Sequence, residues 1–360
     1  MRIVLLTSWR AAGTAGSGVA ASVRGCRDAL LAAGENVRVV CPERDRAGYI
    51  RNSIARIAFN HRLRPLDLAG ADVVAGFDFD GFALPRGGPP LVQINGGVLA
   101  DIVRYERGPV RWTLVQLAQL EGRAARRAAA VVTPSRYAAD TVARLYGVPA
   151  GRIEVVPFGI DLADWDMRLQ VVTPVVAPAE TNEPVILCVA RLYPRKGIDL
   201  LLAAFAHVIR EVPAARLEIV GAGLLDRWLA AAIAAHPGRE RIAWRGNQPP
   251  GALPAFYRRA RVFCLPSRHE TFGFAFLEAM ASARPVVALA VTAVPEMVKD
   301  GETGLLARRE DPAELAAHLV RLLRDPAEAR ALGAAGRARA AGYSWQTTAQ
   351  SLQALFRRNV

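Results

Sequence analysis

Lysine is almost missing from this chain. Only Lys196 and Lys299 stand among 46 basic residues, and the rest are arginine. With so much alanine, the skew points to a GC-rich genome, so part of the net charge of +13 reflects coding bias. It also marks the two retained lysines as places where a compact ammonium is wanted instead of a planar guanidinium. Cysteine is as scarce. Cys26, Cys41, Cys188 and Cys264 lie far apart with no paired spacing, which excludes a disulfide framework or a thiolate metal site and leaves small buried hydrophobes. The five histidines form no ligand pattern either, so no metal is expected. No apolar run reaches about 18 residues, which argues against a membrane-spanning helix. The opening Met1-Arg-Ile-Val-Leu-Leu-Thr7 is too short for a signal-peptide core and reads as a first strand. The expected location is the cytoplasm, with attachment to the inner face of a membrane as a further option.

What is present is a repeated strand–helix alternation. Apolar runs that suit buried strands occur at residues 2–7, 36–41, 72–75, 91–95, 130–133 and 153–156, with helical patterns between several of them. The pattern restarts at 185–190 and continues through 216–220, 241–244, 261–265 and 285–288. Such βαβ order implies an α/β protein with two Rossmann-like, doubly wound parallel sheets. Residues 1–165 form the expected first domain and 184–342 the second. Residues 166–183, rich in Pro, Val and Thr, read as a linker, and 343–360 as a closing helix. Two such domains are expected to face a central cleft, at the carboxyl ends of their strands.

One stretch carries more chemistry than the rest: Cys264-Leu-Pro-Ser-Arg-His-Glu-Thr-Phe-Gly-Phe-Ala-Phe-Leu-Glu-Ala-Met280. A strand here turns through Pro266 and Ser267 into a helix from about Gly273. The backbone N–H groups at such a helix start suit a phosphate. Glu270 and Glu278 frame that start. Carboxylates beside a phosphate would repel it, so they are better matched to neutral hydroxyls. A ligand with a diphosphate in the middle and hydroxylated rings at both ends, a nucleotide sugar, fits. The alternative is an ordinary strand–turn–helix with a surface and a capping glutamate.

Further motifs follow in order. They are Gly16-Ser-Gly-Val-Ala20, Pro134-Ser-Arg-Tyr137, Val155-Val-Pro-Phe-Gly-Ile-Asp161, Val189-Ala-Arg-Leu-Tyr-Pro-Arg-Lys-Gly197 and Ile219-Val-Gly-Ala-Gly223. Beyond the central stretch come Arg284-Pro-Val-Val-Ala288, Pro295-Glu296 and Asp300-Gly-Glu-Thr-Gly304. Together they resemble the retaining glycosyltransferases of family 4, which have the GT-B fold. The resemblance spans most of the chain. It implies a hexosyltransferase that needs no metal or other cofactor and moves sugar from a UDP- or GDP-sugar to a hydroxyl of a glycan or lipid-linked acceptor. Polysaccharide or glycolipid synthesis is the implied setting. Arg191 and Lys196 would neutralise the donor diphosphate, Glu270 would bond the transferred sugar, and Glu278 the ribose. The backbone at Phe272, Gly273, Phe274 and Ala275 would hold phosphate, with Gly16 and Gly18 approaching it from the first domain and Glu296 completing the donor site. The closing helix would pack back on the first domain.

The chain departs from that pattern in places. Asn95-Gly96 stands where many relatives carry a histidine near the reacting sugar. Asn95 can hydrogen-bond but cannot take up a proton, so it and Gly96 are assigned to the acceptor or sugar side. Thr292-Ala-Val-Pro295 replaces the glycines that often precede Glu296. Asp78-Phe-Asp80 has the spacing of a metal-binding carboxylate pair, but it lies in the first domain, away from the donor motifs, and reads as a loop near the acceptor. Two segments are strongly basic. Residues 44–64 and 104–127 each hold six arginines, with Ile50, Ile54, Ile57 and Phe59 suited to one helical face and Trp112 among the leucines. They raise an anionic membrane surface as a partner, against plain solvated helices. No specific nucleic acid is expected. Two rivals remain, a sugar-nucleotide epimerase of the same architecture and a basic membrane- or nucleic-acid-binding protein with a vestigial cleft.

Overall fold

The computed structural model describes residues 1–10, 18–43, 48–170 and 184–360. Met1–Gly159 together with Tyr343–Val360 form one compact unit, and Ile160–Gly342 another. Both are built on six-stranded sheets whose strands all pair in parallel.

The first unit contains β1 (Arg2–Leu6), β2 (Asn36–Val40), β3 (Val73–Phe77), β4 (Leu91–Ile94), β5 (Ala130–Thr133) and β6 (Ile153–Val155), in the order β2-β1-β3-β4-β5-β6. β3 and β5 are buried along their whole length, as strands covered by helices on both faces must be. The direction of winding reverses between β1 and β3, so the loops leaving these two strands diverge and leave a crevice at their carboxyl ends. The closing helix, Trp345–Asn359, belongs to this unit. Its seat is made of glycine. A Cβ on Gly25 would lie 2.2 Å from the Trp345 ring, and one on Gly159 would lie 2.2 Å from the Trp345 backbone nitrogen. Thr348 Oγ1 donates to the Pro157 carbonyl (2.8 Å), and Gln353 donates to Glu35 (2.8 Å).

The second unit contains β7 (Val185–Val189), β8 (Arg216–Val220), β9 (Ile242–Trp244), β10 (Val262–Leu265), β11 (Val286–Leu289) and β12 (Gly304–Ala307), in the order β12-β11-β10-β7-β8-β9. Here the reversal falls between β7 and β10. Those are the strands that lead into Arg191–Gly197 and into Pro266–Gly273. The topology therefore brings together the two stretches that carry the most chemistry, although about 70 residues separate them in sequence.

Two boundaries need correcting. Residues 160–165, expected in the first domain, belong to the second unit, and 166–170, expected to open a linker without helical structure, are the end of its helix Leu162–Gln170. Trp165 is its only buried side chain, and its indole N–H donates to Ser282 Oγ (2.9 Å). Residues 171–183 lie outside those described. No described helix is long and apolar enough to cross a membrane.

Candidate active site

In the second unit, the β7 loop is pinned on both sides. Towards β8, Ala190 N–H donates to the Val220 carbonyl (3.0 Å) and Leu192 N–H to the Ala222 carbonyl (3.1 Å). Gly221 has φ of 133°, and a Cβ there would fall 1.8 Å from the Ala190 carbonyl oxygen, so only glycine permits the approach. Towards β10, a Cβ on Gly197 would fall 2.0 Å from the Pro266 carbonyl oxygen. Arg268 ties the same two loops. Its backbone N–H donates to the Arg195 carbonyl (2.7 Å), and its guanidinium donates to the Pro194 carbonyl (3.0 Å), to both oxygens of Asp199 (2.8 Å each) and to Glu310 (2.7 Å).

The result is a cluster of cations around a buried carboxylate. Lys196 Nζ lies 2.5 Å from Glu270 Oε1, with side-chain exposures of 14% and 10%. Burial pulls the Lys196 ammonium below the ordinary lysine value, although Glu270 opposes the shift. Burial alone would raise Glu270, but the charge and hydrogen bond of Lys196, with Arg195 and His269 beside them, hold its carboxyl below the ordinary range. The Glu270 carboxylate is therefore ionised at neutral pH. Tyr193, itself buried, organises the remaining cations. The Arg191 guanidinium sits 4.8 Å above its ring and donates to its hydroxyl (2.6 Å), and Arg195 lies over the same ring at 5.1 Å.

Glu270 opens a turn that ends at Gly273, whose φ of 89° is the left-handed conformation glycine tolerates. Phe274–Ala281 follows as a helix whose N-cap, Gly273, has no side chain with which to cap it. Phe272 and Phe274 meet edge to face at 5.1 Å and wall this end. Glu278 lies farther along the helix. Its Oε2 accepts from the Tyr257 hydroxyl (2.8 Å), and burial pushes its carboxyl up to about 7 in spite of that bond. Thr292 restrains Glu270 from behind. Its Oγ1 accepts the Glu270 N–H (3.0 Å), and Ala293 N–H returns to the Glu270 carbonyl (3.2 Å). Thr292 holds φ of 51°, so the backbone bend expected of a glycine survives in a β-branched residue that adds a hydroxyl contact. Glu296 lies in the short helix Val294–Met297, and Arg339 fixes that helix by donating to the carbonyls of Glu296 (2.6 Å) and Met297 (2.7 Å).

Arg191, Lys196, Glu270, Phe272, Gly273, Phe274, Ala275 and Glu278 thus lie on the paired β7 and β10 loops and the helix that follows, which make up the candidate site, with Glu296 on the element that follows the Glu270 clamp. Sequence reasoning misses Tyr193, Arg195, Tyr257, Arg268 and Thr292 as parts of it. Tyr193 and Arg195 lie inside a motif already singled out. Tyr257 has no local signal, because its role depends on a helix turn 21 residues away in sequence.

The first unit has its own polar cluster at the β1/β3 crevice. Asp78 holds φ of 53°, and Arg56 Nη2 stands 3.5 Å from its carboxylate. The Arg56 guanidinium is sandwiched by Trp9 (4.2 Å) and Phe79 (4.4 Å), and its Nε donates to Ser8 Oγ (2.9 Å). Asp80 accepts from Ser8 N–H (2.6 Å) and Ser8 Oγ (3.0 Å) with one oxygen and from Asn60 (2.7 Å) with the other. Both oxygens are engaged in structure, and the described residues hold no group of three or more potential metal ligands. Asn95, at the end of β4, is fully buried, and neither its Oδ1 nor its Nδ2 has a hydrogen-bond partner among the described residues. Gly96 follows, with Asp78 Oδ1 about 4.0 Å from where its Cβ would be. Gly18 opens the Gly18–Ala32 helix, and Gly16 lies outside the described residues.

Comparison with known proteins bears on this arrangement. Residues 174–339 match the family model described as glycosyl transferases group 1, and residues 16–164 match glycosyltransferase family 4. A GDP-mannose-dependent alpha-(1-6)-phosphatidylinositol monomannoside mannosyltransferase from Mycolicibacterium smegmatis is 33% identical over 74% of this chain and 72% of its own length. The chain belongs to the group 1 glycosyl transferases. A D-inositol 3-phosphate glycosyltransferase from Segniliparus rotundus is also 33% identical, over 76% of this chain, and one from Nocardia farcinica is 35% identical over 59%. Those matches span 62% and 49% of the respective relatives, so the chain aligns with only part of their length, less than two-thirds of each. Among solved structures, sucrose-phosphate synthase from Thermosynechococcus elongatus superimposes with a TM-score of 0.77 at 22% identity, covering 99% of both chains. Anabaena HepE, solved in complex with UDP-glucose, gives 0.74 at 18% identity, covering 99% of this chain and 100% of its own. At such identities the likeness is one of fold, and it is the GT-B fold of the group 1 glycosyl transferases.

Proposed function

We propose that this protein moves a hexose from a UDP- or GDP-sugar to a hydroxyl of a glycan or lipid-linked acceptor, with retention of anomeric configuration and without a metal ion. The observation that carries this reading is the buried Lys196–Glu270 pair at the β7/β10 reversal, beside a glycine-started helix that also bears Glu278. A departing nucleoside diphosphate gains negative charge. Arg191 and Lys196 stabilise it by charge, and the backbone N–H groups at Gly273–Ala275 do so by hydrogen bonding. Glu270, held ionised by Lys196, accepts hydrogen bonds from hydroxyls of the transferred sugar. Glu278, oriented by Tyr257, meets the ribose.

No nucleophile is assigned. In the proposed step the acceptor oxygen attacks the anomeric carbon from the face the diphosphate leaves. The carbon–oxygen bond to the phosphate breaks, and the acceptor proton passes to the departing phosphate oxygen. The protein's part is then positioning and charge stabilisation. The names of the relatives place their acceptors among inositol phosphates and phosphatidylinositol mannosides, and an acceptor of that kind is the first to try.

The test is thermal unfolding against UDP-, GDP- and ADP-sugars in the presence of EDTA. A ligand that binds only the folded state raises the melting temperature. A rise with one nucleotide class that is lost in Lys196→Ala supports the donor site and names the base. Donor consumption with no acceptor present would favour the epimerase reading. No rise with any donor at millimolar concentration, with or without magnesium, would overturn the proposal.

A further inference from the structure

We propose that Glu121 is a positioning residue of the first unit, a neutral carboxylic acid that fixes the Asn95-Gly96-Gly97 turn from behind. Its effect on the reaction rests on the transferase reading, in which Asn95 and Gly96 serve the acceptor or sugar side. Its proton and its hold on the turn do not.

The turn has little of its own to hold it. It leaves β4 at Asn95, whose N–H donates to the Val132 carbonyl (2.9 Å). After two glycines and Val98 it reaches the short helix Leu99–Ile102, and Val98, at the helix cap, makes no side-chain bond. The caps come from elsewhere in the unit. Glu121 Oε2, on the Gly108–Arg127 helix, accepts the Leu99 N–H (2.7 Å). The Tyr146 hydroxyl, at the end of the Arg136–Tyr146 helix, accepts the Ala100 N–H (3.1 Å) and donates to the same Glu121 oxygen. Gly122 makes room for this contact, since a Cβ there would lie 2.9 Å from the Tyr146 ring. Two side chains from two helices thus satisfy the first two N–H groups of the helix that ends the turn.

Donors and acceptors fix where the proton sits. Glu121 is fully buried, and its Oε1 has no partner among the described residues. An ionised carboxyl would leave a charged oxygen unsatisfied there, which costs far more than leaving a neutral one. With a proton on Oε1 the group becomes a donor and needs an acceptor. Gln93, fully buried on β4, supplies it. Its Nε2 donates to the Asp78 carbonyl and to the Glu121 carbonyl (3.4 Å). Carbonyls only accept, so the amide cannot be turned over. Its oxygen is then the atom left buried without a donor among the described residues. One hydrogen between Glu121 Oε1 and Gln93 Oε1 satisfies both. Asn95, two residues on and on the same side of the strand, keeps its own amide unspent. The surrounding charges agree. Burial first and the Asp78 charge second push the Glu121 carboxyl up to about 8, against the bonds from Tyr146 and Leu99 and the charge of Arg56. Nearby cations are committed elsewhere: Arg56 to Asp78 (3.5 Å), Arg126 to the Tyr146 carbonyl (3.1 Å), and Arg104 to Asp101 (3.5 Å), which also accepts from Tyr137.

Infrared difference spectra of wild type minus Glu121→Gln, on the full chain, need no substrate. At pH 7 they should show the carbonyl stretch of a protonated carboxylic acid, which fades as pH rises past about 8. Amide exchange over residues 95–102 reads the hold on the turn. Glu121→Ala should speed it at least about tenfold, the factor for one lost buried hydrogen bond. Glu121→Gln, a neutral donor of the same shape, should restore protection. For transfer, Glu121→Ala should raise the KM for acceptor by about the same factor, with a smaller change in kcat. In wild type, kcat/KM for acceptor should fall above about pH 8, and Glu121→Gln should lack that fall. A carboxylate band at pH 7 would overturn the proposal. So would a glutamine variant whose turn exchanges as fast as that of the alanine variant, because an ionised carboxylate would then be the working form. If no donor is turned over, the transferase reading fails by itself, and the spectra and the exchange still decide this one.

Discussion

Lys196→Met tests the site at its centre. The change removes the ammonium but keeps much of the stem, and it leaves the Glu270 carboxylate, only 10% exposed, without its nearest partner. Breaking a buried pair in this way costs about 3–5 kcal/mol, most of it from the stranded charge. Arg195 and His269 still act on Glu270, so the lower end, about 3 kcal/mol, is expected. For a unit of this size that corresponds to a melting-temperature drop of about 6–12 °C. Adding Glu270→Gln removes the stranded charge, so the double variant should recover to within about 1 kcal/mol of wild type. Transfer should not recover: each variant should lose at least about 100-fold in kcat, the scale seen when one preorganised stabiliser is removed. The pH dependence separates the cases further. In wild type the folded Glu270 lies below its unfolded value, so its contribution is present above the ordinary carboxylate range and is lost as pH falls through the folded value. In Lys196→Met the sign reverses, and acid relieves the cost by neutralising Glu270. Urea unfolding of the four proteins between pH 4 and 8, with initial rates alongside, reads all of this. A single variant as stable as wild type, or a double variant whose loss equals the sum of the singles, would refute the buried-pair argument.

Other expectations follow from the same geometry. Because burial raises Glu278 to about 7, the native state holds a proton that the unfolded chain gives up near 4.5, and stability should fall by about 2 kcal/mol as pH rises from 5 to 7.5; Glu278→Gln should flatten that slope in urea titrations. Thr292→Gly exchanges about 1 kcal/mol of left-handed strain for about 1 kcal/mol of lost hydrogen bond to Glu270 and should be near neutral, whereas Thr292→Ala loses the bond and keeps the strain, so their melting temperatures should differ in that order. Gly25→Val would drive a side chain into the Trp345 ring and should cost about 2–3 kcal/mol, read as earlier proteolysis of the closing helix.

The two sheets were legible in the sequence for a physical reason. A strand covered on both faces must be apolar at nearly every position, so β3, β5, β7, β10 and β11 appear as unbroken runs. The Leu162–Gln170 helix was not legible, because a helix held by one buried residue leaves almost no periodic trace. What holds Trp165 is tertiary contact with the Tyr257 ring at 5.8 Å and with Ser282, both about 90 residues or more away in sequence.

In the site, legibility followed residue chemistry. Where nearly every basic position is arginine, Lys196 stands out, and its burial against Glu270 gives the reason for a compact ammonium: a guanidinium would have to satisfy five donors in the same space. Arg268 is as tightly built in and was invisible, because one arginine among so many carries no signal until its partners are known. Those partners, Asp199, Glu310 and the Pro194 carbonyl, come from other segments of the chain. Asn95 is the opposite case. The sequence marked it by what it is not, a group able to take up a proton, and the structure leaves both its polar atoms buried and unpartnered among the described residues, at the carboxyl end of β4. Burying such an amide costs free energy unless something bonds to it. An acceptor hydroxyl or an ordered water would do so, and Asn95→Ala should then raise the KM for acceptor while leaving the donor-induced rise in melting temperature unchanged.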